Sequence, residues 1–298
     1  MDKKAIREFT KVSKTAMPHV FYRTFYGLPH AEEMAALMKA EQITVQLYGA
    51  YNKKQLEIVP IMEARYKSGL KAMETYIELH NRKVQILELA AGLSLHGTLL
   101  SEKYPDINYI ETDYSSGIIE SKKKIIRQLI KKNLPNLRFL KANALEEASF
   151  KNFLKTLRSD LPLIVYNEGL LNYFNGKEMR VLARNIKFLL SKFGGVWITP
   201  DPAMSAERRA SLGTAAPNFL KLAKKAEAVA AQKYEDHGFK NEQEADKFFK
   251  SQGFSLKKFS QPTDLNSFKE LRISSVAAKK IKENIKKYGK VWILSNSA

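Results

Sequence analysis

Asp113, Asn143 and Glu168 each stand at or just beyond the end of a short apolar run, where a polar side chain can meet a ligand. An earlier run, Val84 to Leu89, leads into a bend of small residues, Ala90, Ala91, Gly92 and Ser94, that opens a helix. Where the chain turns close to a ligand, a side chain at the nearest point blocks the approach, and small residues at 90, 92 and 94 remove that obstacle. A dinucleotide fingerprint would place a third glycine at position 95, where this chain has Leu95. The bend therefore suits a nucleoside-type cofactor better than a nicotinamide dinucleotide, although an ordinary strand-to-helix turn has the same composition.

The other polar positions extend this reading. An acid closing a second strand, as Asp113 does, can accept two hydrogen bonds from ribose hydroxyls, or it can cap the following helix. The glycine bend upstream favours ribose. Asn143, followed by Ala144 and Leu145, offers an amide side chain, a free backbone amide and an apolar contact for an adenine ring; it serves equally as a turn residue. Glu168 can hold an ammonium group or offset a sulfonium charge, or it can sit as an acid at the positive end of a helix. His96 can take a proton from a hydroxyl, or it can be a partly buried polar residue in the first turn of a helix.

These residues need a scaffold that brings strand ends together. Short apolar runs of four to six residues at 84–89, 107–112, 137–141, 163–166 and 196–199 alternate with helical stretches at about 95–104, 118–132, 147–157 and 176–192. Apolar strands alternating with helices predict a doubly wound, mostly parallel α/β sheet covered on both faces. Ahead of it, Met62, Tyr66, Leu70, Met73 and Ile77 recur at helical spacing and predict a helix over 61–80. The expected organisation is a helical N-terminal cap over 1–60, a core over 61–204, a helical insertion over 205–251 above the site, and C-terminal strands with a helix over 252–298. Within the last two, helices are expected at 212–231, 241–251 and 264–288, the last broken near Ser274 and Ser275. Strands are expected at 254–259 and 290–294.

Composition narrows the chemistry. The 298 residues include no cysteine, which excludes disulfides, thiolate catalysis and thiolate metal sites. The five histidines, at 19, 30, 80, 96 and 237, show no helical ligand spacing, so a catalytic metal is not expected. No apolar stretch reaches the roughly 20 residues that span a bilayer, and no apolar leader follows Met1, so a cytoplasmic setting is expected. Lys and Arg number 50 against 31 Asp and Glu, a formal charge of +19. Such an excess attracts phosphates and acidic partners, but clusters such as Lys122 to Lys124 read mainly as solvated helix faces.

Taken in order and spacing, Glu63-Arg65-Tyr66, Glu88 to Gly92, Glu111 to Asp113, Asn143 to Leu145, and Glu168 to Tyr173 resemble the leucine carboxyl methyltransferase family and related small-molecule O-methyltransferases. That family is a branch of the S-adenosylmethionine-dependent, Rossmann-like methyltransferases. The resemblance spans residues 60–202. It implies a cofactor site formed by Arg65, Glu88, Ala90, Gly92, Asp113, Asn143, Ala144 and Glu168. Within it, Arg65 would pair with the cofactor carboxylate, Asp113 take the ribose, and Asn143 with Ala144 the adenine. Gly92 would lie against the methionine part and Glu168 near its end. Tyr22, Tyr26 and Tyr173 would face the methyl acceptor, with Phe25 and Phe219 as further candidates. Relatives often carry Asp-Thr-Arg where this chain has Ser94-Leu95-His96, and an aspartate where it has Asn143.

The implied reaction is in-line transfer of a methyl group from a sulfonium to a small molecule or carboxylate, which needs neither metal nor nucleophilic side chain. Rival readings are a nucleic-acid methyltransferase using the basic surface, a dehydrogenase disfavoured by Leu95, and a non-catalytic binding domain that kept the fold.

Overall fold

The computed structural model describes residues 16–49, 51–52, 55–200 and 238–297. Its strands are β1 Gln85–Leu89, β2 Asn108–Asp113, β3 Leu137–Lys141, β4 Leu163–Asn167, β5 Gly195–Thr199, β6 Phe254–Ser260 and β7 Lys290–Asn296. They form one seven-stranded sheet in the order β3-β2-β1-β4-β5-β7-β6. Strands β1 to β5 are parallel, and β7 runs antiparallel between β5 and β6. The sequence reading of a doubly wound, mostly parallel α/β sheet is what the chain adopts. Every residue of β1 and β4 is buried, as strands covered on both faces require, whereas edge strand β6 alternates buried with exposed positions near its start.

The helices are α1 Met17–Tyr22, α2 Ala31–Leu37, α3 Ala40–Tyr48, α4 Val59–Leu79, α5 His96–Lys103, α6 Ser116–Leu129, α7 Glu147–Phe153, α8 Gly176–Phe193, α9 Glu242–Ser251, α10 Asn266–Glu270 and α11 Ser275–Tyr288. Alternate strand residues feed two cores. Leu87, Val165 and Trp197 pack with Phe150, Leu182 and Ile186 of α7 and α8. Ile86, Ile164 and Ile198 face the other way, onto Met73 and Ile77 of α4 and Leu100 of α5. The N-terminal helices form a third cluster, in which Val20, Phe21 and Met34 close over Leu93 and Leu95 of the bend after β1.

Local chemistry explains most boundaries. The break expected near Ser274 arises because its hydroxyl accepts the Ala277 amide and starts α11 afresh. Asn175 and Glu178 build a reciprocal cap on α8. Helix α7 ends four residues earlier than expected. There, Thr156 Oγ1 shares the Phe153 carbonyl with the backbone, and the chain leaves in tight turns. The helix expected over 212–231, with Phe219, lies outside the described residues. Among the described residues, no helix is long and apolar enough to cross a membrane.

A buried acid ties the C-terminal segment to α4. Glu63 accepts the Asn266 and Ser267 amides, both at 2.9 Å, and also contacts Lys67. Glu63→Gln keeps the shape but loses the charge on these bonds, and should lower unfolding free energy in urea by about 1–2 kcal/mol. An unchanged urea midpoint would show that this tie contributes nothing.

Candidate active site

Strand order reverses between β1 and β4, because β1 is followed outward by β2 and β3 while β4 is followed by β5. In an open parallel sheet the crevice beyond the carboxyl ends at such a point is where ligands bind. The bend after β1, Asp113 at the end of β2, Asn143 after β3 and Glu168 after β4 all lie along that edge.

Gly92 and Asp113 meet there. The Gly92 amide donates to Asp113 Oδ2 at 3.1 Å, and the Ser115 amide donates to Oδ1 at 2.9 Å. Gly92 has φ +51°, a left-handed conformation suited to glycine, and among the described residues a side chain added there would meet only the Ala90 carbonyl, at 3.9 Å. Ala90 shares the left-handed region at φ +52°, a strain of roughly 1 kcal/mol that the packed surroundings hold. Burial raises the Asp113 carboxyl above its ordinary range, and the Ser115 and Gly92 amides pull it part of the way back.

Beneath the bend lies a buried polar network. Glu88 Oε1 accepts Ser94 Oγ at 3.0 Å and faces His96 Nδ1 at 3.2 Å, and Oε2 accepts the Tyr109 hydroxyl at 2.8 Å. Burial alone would raise the Glu88 carboxyl, but His96, Lys122 and Tyr109 together hold it below its usual value. Lys122 was expected on a solvated basic face with Lys123 and Lys124. Instead it is 1% exposed, its ammonium set against Glu111 and 3.2 Å from Ser94 Oγ. The glycine missing at 95 has a counterpart at 97: a methyl group on Gly97 would overlap the Glu111 carboxylate, so α5 can approach β2 only without one.

The wall beside the bend is aromatic and charged. Arg65 Nε contacts Glu168 Oε1 at 2.9 Å, and the Tyr166 hydroxyl lies 3.2 Å from Oε2. His96 stacks on Tyr66 with ring centroids 3.9 Å apart and meets Tyr166 edge-on at 5.0 Å. Among the described residues His96 Nε2 is buried without a hydrogen-bond partner, and it lies 3.8 Å from Glu168 Oε2. The Tyr66 hydroxyl accepts the Leu95 amide at 2.9 Å, so a residue of the helix core also fixes the bend.

Asn143 turns the chain: Oδ1 accepts the Leu145 amide at 3.0 Å and Nδ2 donates to Glu146 at 3.1 Å. Its backbone amide, expected to be free, donates to Ser149 Oγ at 3.1 Å. Tyr26 is buried against Tyr66, with ring centroids 5.9 Å apart. Tyr22 and Phe25 pack within the N-terminal clusters, and Tyr173 sits half-buried in the short turn Leu171–Tyr173 beyond Glu168.

No family model matches the chain. It is similar to leucine carboxyl methyltransferase 1 of Eremothecium gossypii, with 22% identity over 198 residues covering 58% of this chain. The match spans 59% of that relative's length, less than two thirds. Among solved structures it is similar to a DUF574 family protein from Streptomyces avermitilis, with a TM-score of 0.54 and 12% identity, covering 93% of this chain and 95% of the other. It is also similar to the plantazolicin methyltransferase BamL, solved with a triazolic desmethylPZN analog and SAH. That match has a TM-score of 0.49 and 14% identity over 99% of this chain and 100% of the other. The Streptomyces likeness shows a shared fold.

Proposed function

We propose that this chain is an S-adenosylmethionine-dependent methyltransferase that methylates an oxygen of a small molecule or carboxylate. The observation that carries the reading is the contact between the Gly92 amide and the Asp113 carboxylate at the switch point of the sheet. One bend then leaves room for a ligand while the adjacent strand tip offers two oxygens to a ribose. The curated relative's name, a carboxyl methyltransferase, supports the same reading.

The residues present fit that cofactor. Among the described residues, the Ala90 carbonyl alone stands within 4 Å of where a Gly92 side chain would lie. Arg65 and Glu168, joined at 2.9 Å, present opposite charges that match the carboxylate and ammonium of an amino-acid end. Asn143 and Ala144 stand at the tip of β3, where an adenine would lie. Glu88 holds Ser94 and His96 in place beside the bend.

When bound, the cofactor supplies an electrophilic methyl group, so the protein's task is orientation and exclusion of water. The N-terminal cap performs part of that exclusion, because Leu93 and Leu95 are buried beneath it and its own Tyr26 is buried too. His96 is 1% exposed, held by Glu88 and stacked on Tyr66, which turns it towards Glu168 rather than towards an acceptor. An acceptor that is already an anion needs no base, and a carboxylate meets that condition.

Calorimetry with S-adenosylhomocysteine tests the reading, with NADH as the contrasting ligand. Saturable binding of the first and none of the second is expected. No heat from S-adenosylhomocysteine would remove the reading.

A further inference from the structure

The two oxygens of Glu168 meet different neighbours. Oε1 faces Arg65 Nε at 2.9 Å. Oε2 accepts the Tyr166 hydroxyl at 3.2 Å and faces His96 Nε2 at 3.8 Å. Arg65 must share its donors between Glu168 and any bound carboxylate, so the contacts on Oε2 decide where the acid points once a ligand is seated. At 3.8 Å the His96 contact is one of charge, beyond hydrogen-bond length, and contacts of this kind tighten when a ligand binds.

His96, the first residue of α5, is itself fixed by three other elements. Its ring lies over Tyr66 of α4, with centroids 3.9 Å apart and planes 17° from parallel. Nδ1 lies 3.2 Å from Glu88 Oε1 on β1, and Tyr166 of β4 meets the ring edge-on. Gly69 of α4 makes the last contact possible, because a methyl group there would overlap the Tyr166 hydroxyl. Burial opposes the charge on Glu88, and His96 is the first of the groups that hold its carboxyl down. An ionised Glu88 draws a proton onto Nδ1, and a ring protonated at both nitrogens offers the other proton to Glu168.

We propose that His96 is a positioning residue that relays the fixed carboxylate of Glu88 to Glu168 and sets Glu168 for the ammonium group of the cofactor. The pair His96 and Glu168 then selects nucleosides that carry an amino-acid end. It contributes nothing to a nucleoside that lacks one. The proposal rests on the methyltransferase reading and adds to it the source of this selectivity.

Calorimetry on the full chain compares the parent, His96→Asn and His96→Gln, each with and without Glu168→Gln. The ligands are S-adenosylhomocysteine and 5′-methylthioadenosine, the same nucleoside without the amino-acid end. Asparagine sets its amide near the place of Nδ1 and keeps the donor to Glu88. Glutamine sets it near the place of Nε2 and keeps the donor to Glu168. His96→Asn is expected to weaken S-adenosylhomocysteine about tenfold and to leave methylthioadenosine within about twofold, while His96→Gln recovers most of the loss. With Glu168→Gln in place, His96→Asn should have little further effect. Equal weakening of both ligands, glutamine as poor as asparagine, or a loss that persists undiminished beside Glu168→Gln would overturn the proposal and leave His96 as a support for Glu88. Should His96→Asn not fold, the Nε2 resonance of His96 in the parent chain with isotope-labelled histidine decides instead. It should move on adding S-adenosylhomocysteine and on substituting Glu168→Gln; a resonance unmoved by both overturns the proposal. A parent chain that does not bind S-adenosylhomocysteine ends the methyltransferase reading and the proposal together. A parent that binds it no better than His96→Asn does ends the proposal alone.

Discussion

Asp113→Ala is expected to bind S-adenosylhomocysteine about 100-fold more weakly than the parent chain. Two hydrogen bonds from ribose hydroxyls to an ionised carboxylate contribute roughly 1.5 kcal/mol each, together about 3 kcal/mol. The same carboxylate also accepts the Gly92 and Ser115 amides, so its loss frees the bend as well as the strand tip. Asp113→Asn separates the two contributions. It keeps one acceptor oxygen and the size of the side chain, and should fall between parent and Asp113→Ala. Thermal melting checks that the sheet persists in both variants. The grip on ribose needs the ionised form, and burial raises the carboxyl above its ordinary range. As pH falls, affinity should therefore decline before an ordinary aspartate would begin to protonate. Calorimetry across that range gives the answer. Equal affinity of Asp113→Ala and parent would dissolve the ribose assignment.

How much of this site can be read from sequence depends on where each signal comes from. The sheet was legible because fully buried parallel strands must be apolar throughout, and Val84 to Leu89 and Leu163 to Tyr166 are nearly so. Gly92 and Asp113 were legible because turn chemistry and strand ends are local properties, and a parallel sheet brings its strand ends to one edge whatever its sequence. Lys122 was not. Beside Lys123 and Lys124 it looks like one more solvated lysine, and only the pairing of Glu88 with Glu111 across β1 and β2 shows that the interior needs a cation. A charged residue in the middle of each of two adjacent apolar strands was the available clue. Gly97 and Tyr66 escaped for a related reason: one is defined by the close approach of Glu111, the other by the amide of Leu95, and both partners are distant in sequence.

Removing the Lys122 side chain should have the largest effect on stability of any substitution considered. Lys122→Ala leaves Glu111, beside Glu88 across the two strands, in the interior without its cation, at a cost of about 3–5 kcal/mol and a fall in melting temperature of about 10 °C. The loss must depend on pH. Burial raises Glu111 from 4.5 to about 7, Lys122 opposing the rise and Glu88 adding to it. An acid whose folded value lies above its unfolded one binds its proton more tightly when folded. Its stabilising contribution is complete below 4.5 and is lost as pH climbs through about 7. Without Lys122 the folded value moves higher still, so the variant's deficit should be small just above 4.5 and grow beyond about 7. Urea unfolding at the two ends of that interval measures it. Lys122→Met combined with Glu111→Gln should recover most of the loss, because no unpaired charge then remains at Glu111. A deficit of equal size at both pH values, unrelieved in the double variant, would mean that Lys122 supports the bend by packing and not by charge.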